Sequence, residues 1–278
     1  MELLVTIGLD APIVEALNKL DTHVLSFPAL PRTLTIDGRV YVESARKAGR
    51  LLRPRAVVYY GYFDGPEAAT VRRALAVAET PSFPSVRRTI MLDDKVLGLL
   101  ATLGAGLPRL DRGYFPPGDL PLFEGERVLK WGNRHSGEDK VRARSGYTLA
   151  QPALAEPFIA GTSERVLLVG DRVWQLRYES DDWRKNVHGI VEPVEADPEL
   201  VAIARRVASH LGLVVAGVDF IVRDEVPHLI EVNAYPSLDD APGAKDAFVA
   251  EITKFWMDVI SKPGSMTPPP GSVLPPRP

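Results

Sequence analysis

The sequence contains no cysteine. Disulfide bonds, thiolate nucleophiles and thiolate metal sites are therefore excluded. The first residues, MELLVTIGLDAP, hold no basic segment followed by a long apolar one, and no run reaches the about 18 apolar residues of a membrane span. We therefore expect a cytoplasmic protein that has no membrane partner.

The sequence also lacks an excess of positive charge. Its 33 Lys and Arg residues face 36 Asp and Glu residues, which gives a formal net charge of −3. Such a balance provides no general basic surface, although local arginine clusters can still bind phosphates or acidic ligands. We expect no nucleic acid partner. With 278 residues that are 45% hydrophobic, the chain can build several lobes around sizeable cores.

The N-terminal part of the sequence alternates apolar strands with helices. Residues 3–7 and 56–60 have the composition of buried strands, and residues 66–79 form a predicted helix that starts with proline. This alternation predicts a small α/β domain with a parallel sheet over residues 1–92. No glycine-rich phosphate fingerprint follows its first strand, so we assign it no dinucleotide.

A polar loop follows an apolar strand in the second predicted lobe, residues 93–160. The strand RVLKW, residues 127–131, runs into GNRHSGEDK, residues 132–140. Backbone N–H groups of such a loop can hold phosphate oxygens, and a lysine can add charge. Lys130 interrupts the apolar strand, where an unpaired ammonium would be costly to bury, so we expect a phosphate partner for it.

A third lobe is predicted over residues 161–261. It contains a hairpin that turns at Gly170 and Asp171, an amphipathic helix that begins at Asp197 and Pro198 and ends at Gly212, and a last helix over residues 246–260. The remaining residues, 262–278, are rich in proline and predict a disordered or polyproline II tail. Its PxxP spacing suits a proline-recognition domain, but an inert tail is the favoured interpretation.

The most informative stretch is GVDFIVRDEVPHLIEVNAYP, residues 217–236. Two apolar runs with strand periodicity flank a polar turn, so Asp219 is expected roughly across from Glu231 or Asn233. These oxygen-bearing side chains suit Mg²⁺, which takes one or two protein carboxylates and completes its shell with phosphate oxygens and water. A surface hairpin with solvated carboxylates is the alternative.

Seven segments in one order give the sequence a family resemblance: Asp94-Lys95, LKWGNRHSG, AEPFI, RVLLVG, DDWRKN, GVDF and EVN. Together they resemble the ATP-grasp superfamily over residues 85–240. The likeness is closest to the synapsin ATP-binding domain, followed by the ribosomal-protein glutamate ligases and glutathione synthetases. The resemblance implies an α/β N-terminal lobe plus two α+β ATP-grasp lobes that sandwich the nucleotide.

The resemblance also implies roles for individual residues. Lys95 and Lys130 would contact ATP phosphates, and Ser136 and Gly137 would lie in the loop that covers them. Glu156, Phe158 and Ile159 would form the adenine-binding hinge, and Glu164 would contact the ribose. Arg177 would lie near the γ-phosphate, and Arg184 and Asn186 would line the rest of the reaction cleft. Asp219, Glu231 and Asn233 would bind Mg²⁺, with Mn²⁺ as the alternative.

Some of these residues have structural alternatives. Lys95 has the pattern of a solvated helix lysine, and the Arg177 and Arg184 region suits a surface salt-bridge cluster. The sequence also departs from the family pattern. Asp139 replaces a second glycine of the loop, and the segment from Lys130 to Glu156 is short, so we expect the helix between them to be reduced or missing.

The full metal set favours catalysis over nucleotide sensing. The resemblance therefore implies an ADP-forming carboxylate–amine ligase that works through an acyl-phosphate intermediate, with ATP and Mg²⁺ as cofactors. Its partners would be a small-molecule carboxylate and amine, such as an amino acid or a peptide, and a homo-oligomer is compatible with the sequence. The alternatives are a non-catalytic ATP-binding regulator like synapsin and a small-molecule kinase on the same scaffold.

Overall fold

The computed structural model describes residues 2–44, 47–61, 63, 65–105, 110–131, 139–185 and 189–262. Three predicted site residues, Ser136, Gly137 and Asn186, and the tail beyond Lys262 lie outside these ranges. The chain divides into two compact units. Met1–Ile90 with Gly243–Pro278 forms the first unit, and Met91–Pro242 forms the second.

The first unit begins with the predicted parallel sheet. Its N-terminal elements are β1 (Leu3–Ile7), α1 (Ala11–Leu17), β2 (His23–Phe27), β3 (Thr33–Ile36), β4 (Arg39–Glu43), β5 (Leu51–Leu52), β6 (Ala56–Tyr59), α2 (Pro66–Val77), β7 (Ser82–Phe83) and α3 (Val86–Thr89). The main sheet has the order β2-β1-β6-β7 with parallel neighbours, and β3, β4 and β5 form an antiparallel sheet. Strand β6 is fully buried, as expected for a central parallel strand.

The second unit contains a small antiparallel sheet. A short helix, α4 (Lys95–Ala101), lies between two 3₁₀ turns, Ile90–Asp93 and Thr102–Ala105. The strands that follow are β8 (Gly113–Phe115), β9 (Gly118–Asp119), β10 (Arg127–Lys130), β11 (Lys140–Ala143), β12 (Thr148–Leu149) and β13 (Ala153–Pro157). The sheet order is β11-β10-β13-β8, and β12 pairs with β9. The described residues between Lys130 and Glu156 contain strands and no helix, as the short spacing predicts.

A five-stranded antiparallel sheet forms the rest of the second unit. Its elements are β14 (Thr162–Val169), β15 (Arg172–Glu179), β16 (Ile190–Val194), α5 (Pro198–Leu211), β17 (Val215–Arg223) and β18 (Val226–Asn233), and the sheet order is β16-β15-β14-β17-β18. Helix α5 begins as predicted, because the Asp197 carboxylate accepts a hydrogen bond from the Glu199 N–H at 2.8 Å. It ends at Gly212, whose φ of 65° is left-handed.

The last helix, α6 (Ala244–Ser261), belongs to the first unit. Phe248 is fully buried, and its ring centroid lies 4.4 Å from that of Tyr60 and 5.8 Å from that of Phe83. The prediction placed this helix at the end of a lobe spanning residues 161–261, which differs from the grouping in the structure. The division into lobes at residues 92 and 160 stays a prediction.

No helix in the described part of the chain has both the length and the apolarity that a membrane crossing requires.

Candidate active site

The structure brings the three predicted metal ligands together on the β17–β18 hairpin. Asp219 is the register partner of Glu231, and Asn233 pairs with Gly217 two residues further along. The Asn233 side-chain amide donates a hydrogen bond of 3.1 Å to the Asp219 carboxylate. Because side chains two residues apart on a strand share a face, these three groups lie on one face of the sheet.

Arg165 is a neighbour of this group that the sequence analysis missed. It lies on β14 directly across from Asp219, and its Nε and Nη2 atoms donate to the two oxygens of the Asp219 carboxylate at 2.6 and 2.8 Å. This is the bidentate geometry in which an arginine binds a carboxylate most strongly. The alternating sequence pattern of β14 could have identified Arg165 as half-buried, because this residue directly precedes the apolar run of the strand.

The donor chemistry of the hairpin fits Mg²⁺. Two carboxylates and an amide are hard oxygen donors, and Mg²⁺ needs few protein ligands when a nucleotide supplies the others. In the described part of the chain, no group of three or more His, Cys, Asp or Glu side chains is placed to hold a metal ion. Asp219, Glu231 and Asn233 are the residues that would hold the ion, and their metal role stays a prediction.

A cleft lies over this face of the sheet. The four-stranded and the five-stranded sheet of the second unit line it, and the lining includes seven of the predicted site residues: Lys130, Glu156, Phe158, Ile159, Arg184, Asp219 and Glu231. The cleft is therefore the candidate active site.

Lys130 lines the cleft as one member of an ion pair. Its ammonium forms a close ion pair with Glu156, and the side chains are 8% and 3% exposed. The pairing follows from the antiparallel register of β10 and β13, in which Val128 is opposite Glu156 and Lys130 is opposite Leu154. The argument that burial of Lys130 requires a phosphate is wrong, because a carboxylate already provides a partner. Its proposed contact with phosphate stays a prediction.

Aromatic and cationic side chains form one wall of the cleft. The rings of Phe158 and Trp183 meet edge to face, with centroids 6.2 Å apart, and the Arg142 guanidinium lies 3.8 Å from the Phe158 centroid. Such π-faces and cations suit a flat heteroaromatic ring. Phe158 was predicted from its place in the hinge segment, whereas Trp183 was seen only as part of a motif.

Arg184 is fixed by its own loop. The Asp182 carboxylate accepts hydrogen bonds from the Arg184 backbone N–H at 2.8 Å and from its guanidinium at 2.6 Å. These hydrogen bonds, the side-chain one foremost, lower the Asp182 pKa to about 2. Arg184 is therefore held over the cleft by a carboxylate that stays ionised at neutral pH.

Arg177 and Glu164 lie outside the described lining of the cleft. They are register partners on β15 and β14, and the Arg177 Nε donates to the Glu164 carboxylate at 2.9 Å. Ser163 and Arg165 face the cleft, so strand alternation directs Glu164 to the opposite face of the sheet. The hydrogen bond to Glu164 raises the Arg177 pKa. The structure therefore does not bring this pair to the cleft, and their roles at the γ-phosphate and ribose remain resemblance-based predictions.

Helix α4, which contains Lys95, lies beside the metal hairpin. A small recess between α4 and β18 is lined by Asp94, Gly98, Lys130 and Glu231, among others. The Asp94 carboxylate accepts a hydrogen bond from the Leu97 N–H at 2.8 Å and so caps the first turn of the helix. The start of the helix is thus close to both Lys130 and Glu231.

Tyr178 is a further residue of the cleft that the sequence analysis did not identify. Burial is the main reason why its pKa rises to about 12, and Arg165 opposes the rise. The Arg165 guanidinium lies 5.3 Å from the Tyr178 ring centroid. Tyr178 is therefore a neutral phenol at physiological pH, next to the arginine that binds Asp219.

Comparison with solved structures identifies the fold as that of ATP-grasp ligases. An ATP-grasp protein described as a RimK domain protein, from Sphaerobacter thermophilus, has a TM-score of 0.62 at 16% identity, over 90% of this chain and 97% of its own. The macrocyclase MdnC from Microcystis aeruginosa, bound with precursor peptide MdnA, has a TM-score of 0.61 at 15% identity, over 91% of this chain and 100% of its own. The predicted fold class is confirmed.

Residues 140–249 match the family described as the RimK-like ATP-grasp domain. A probable alpha-L-glutamate ligase from Thioalkalivibrio sulfidiphilus is 32% identical over 178 residues, which are 55% of this chain and 58% of the relative. One from Klebsiella pneumoniae is 28% identical over 233 residues, 75% of each chain. The chain thus spans 58% of the first relative's length.

The match of residues 140–249 to the RimK-like ATP-grasp domain confirms the predicted resemblance to the ATP-grasp superfamily. These relatives carry ligase names, which favours the carboxylate–amine ligase prediction over the synapsin-like regulator and the small-molecule kinase.

Proposed function

We propose that this protein is an ADP-forming carboxylate–amine ligase. One observation carries the proposal: Asp219 and Glu231 lie directly opposite each other in a cleft that Lys130 and Arg184 also line. Two adjacent carboxylates suit the Mg²⁺ ion of a nucleotide, and the two cationic side chains suit its phosphates. The RimK-like match includes both strands of the hairpin.

The reaction proceeds in two steps. An oxygen of the substrate carboxylate attacks the γ-phosphorus of ATP, a new O–P bond forms, and the bond to the β-phosphate oxygen breaks to release ADP. The amine nitrogen then attacks the acyl carbon of the resulting acyl phosphate. The C–O bond breaks, phosphate leaves with one former carboxylate oxygen, and the amine loses a proton to give the amide.

The residues of the cleft contribute positioning and electrostatic stabilisation. Mg²⁺ supplies charge neutralisation at the phosphoryl oxygens when it is bound by Asp219, Glu231 and Asn233. Lys130 and Arg184 bind anionic oxygens, and Phe158 contacts the base. Lys95, Ser136, Gly137 and Asn186 take the phosphate and cleft roles that the resemblance implies. Arg165 orients Asp219, because it binds both oxygens of that carboxylate.

The substrates are amino acids or peptides. L-Glutamate is the first candidate, because curated relatives are named alpha-L-glutamate ligases. A peptide is the second candidate, because one structural relative is bound with a precursor peptide. A cytoplasmic location agrees with this function, since the reaction consumes ATP.

A paired substrate screen tests the proposal. Purified protein is incubated with MgATP and all pairs from a set of amino acids and short peptides, and ADP and product masses are measured together. At least one pair should give a product whose mass is the sum of the two substrates less one water, in amounts equal to ADP and phosphate. Formation of a stable phosphorylated product instead would indicate a kinase, and turnover that no pair stimulates would contradict the proposal.

A further inference from the structure

Arg112 connects the four-stranded and the five-stranded sheet of the second unit. It directly precedes β8, and its Nε donates to the Glu156 carboxylate on β13 at 2.9 Å. Its Nη2 donates to the Leu229 carbonyl oxygen on β18 at 2.5 Å. Leu229 lies two positions before Glu231, so a single guanidinium reaches both the hinge carboxylate and the strand of the metal hairpin.

Lys130 and Arg112 share one carboxylate. Glu156 accepts from Lys130 through Oε1 and from Arg112 through Oε2. The Arg112 side chain is 17% exposed, and those of Lys130 and Glu156 are more buried still. Among the residues that the structure describes, no second carboxylate forms an ion pair with either cation. The three groups together therefore have a net charge of about plus one in a largely desolvated place.

A buried excess charge is unfavourable unless an opposite charge approaches it. Lys130 borders both the main cleft and the recess beside Glu231, so an anion in the cleft can reach its ammonium. If Glu156 had only Lys130 as a partner, its carboxylate would neutralise that ammonium. Because Arg112 occupies the other oxygen, part of the lysine charge remains available to a ligand.

We propose that Arg112 is a positioning residue of the nucleotide site. It shares the Glu156 carboxylate, so that part of the positive charge of Lys130 is not neutralised and remains available to bind a phosphate. This inference rests on the proposed function, since it assumes a polyphosphate ligand in the cleft. Arg112 itself acts through Glu156 and Lys130 rather than through contact with the nucleotide. Its bond to the Leu229 carbonyl also holds Lys130 near the strand that contains Glu231.

Binding of inorganic tripolyphosphate tests the inference. Isothermal titration calorimetry in EDTA measures how the charged residues bind tripolyphosphate in the absence of the metal and of the adenine base. The MgATP analogue AMPPNP is titrated separately. Arg112→Gln should weaken tripolyphosphate binding about tenfold, the effect of one lost charged contact. Adding Glu156→Gln to that variant restores the net charge and should return the affinity to within about threefold of the original.

Arg127→Gln is the matched control. Arg127 lies on β10 of the same sheet, is 16% exposed, and also binds one carboxylate and one carbonyl, those of Asp111. Because it does not line the cleft, its replacement should leave both affinities unchanged. Arg112→Lys, which keeps the charge, should bind tripolyphosphate within about threefold of the original and serves if Arg112→Gln does not fold.

The outcomes separate this inference from the proposed function. Unchanged tripolyphosphate binding in folded Arg112→Gln would overturn the inference alone, provided that the original protein binds AMPPNP. A double variant that binds no better than Arg112→Gln would show that Arg112 has a merely structural role. Failure of the original protein to bind either ligand would overturn both the inference and the ligase proposal.

Discussion

At the scale of single residues, the ion pairs determine how each charged group of the cleft is used. Asp219 binds Arg165, Lys130 binds Glu156, and Arg184 binds Asp182. Every one of these pairs joins a predicted site residue to a partner that fixes its position. These partners hold the charged groups of the cleft in place.

Glu231→Gln should leave the protein folded and slow ATP turnover by about a hundredfold or more, because the phosphoryl oxygens lose a charge-compensating contact. Steady-state kinetics with saturating MgATP and the substrate pair found in the screen measure the effect. Glu225→Gln, in the exposed turn of the same hairpin, is the control and should keep full turnover. Unchanged turnover in Glu231→Gln would remove the hairpin from the active site.

Tyr178 should ionise only near pH 12, compared with its ordinary pKa of 10.0, because burial disfavours the phenolate. The folded-state pKa is raised, so the associated stability is complete below pH 10 and is lost as pH rises through about 12. The difference in near-ultraviolet absorbance between the original protein and Tyr178→Phe isolates this titration. A phenolate signal that appears near pH 10 and that Tyr178→Phe removes would contradict the assigned burial.

At the scale of secondary structure, α5 offers a direct test of local sequence reasoning. Asp197→Ala removes the side-chain cap on the Glu199 N–H and should lower the free energy of unfolding by about 1 kcal/mol. Urea unfolding followed by circular dichroism measures the difference. Glu195→Ala, an exposed change just before the helix, is the control. Equal stability of the two variants would show that the cap contributes nothing.

Local patterns predicted the β17–β18 hairpin and α5, because a turn and a cap depend on residues close in sequence. The strand pattern indicates that Arg165 is half-buried, but it does not predict the contact with Asp219, which spans 54 positions. The contact of Arg112 with Glu156 spans 44 positions and has no local pattern either. Glu164 and Arg177 show the same limit, because the sheet face that a residue occupies depends on which strands pair. Contacts between distant strands are therefore the part of the site that sequence reasoning missed.

At the scale of the whole molecule, the end of α6 is bound to the first unit through Arg55. Arg55 donates to the carbonyl oxygens of Val259 and Lys262 at 2.9 and 2.5 Å, and Val259 is buried. The first unit therefore needs the chain up to Lys262. The residues beyond it are rich in proline and lack the apolar periodicity of a core element.

Truncation after Lys262 should change neither the melting temperature nor the affinity for ATP. Truncation after Asp258 is the comparison: it removes Val259 and both carbonyl acceptors of Arg55 and should lower the melting temperature by several degrees. Differential scanning fluorimetry measures both. A lower melting temperature for the chain truncated after Lys262 than for the full chain would show that the tail packs against the protein.

Oxygen transfer from the substrate tests the ligase account most directly. Once the screen has identified a pair, its carboxylate is labelled with ¹⁸O and the products are analysed by mass spectrometry. Activation as an acyl phosphate requires that one labelled oxygen appear in the released phosphate, with ADP as the nucleotide product, because the amine expels phosphate together with that oxygen. Label in AMP, or phosphate that stays unlabelled while amide accumulates, would contradict the account.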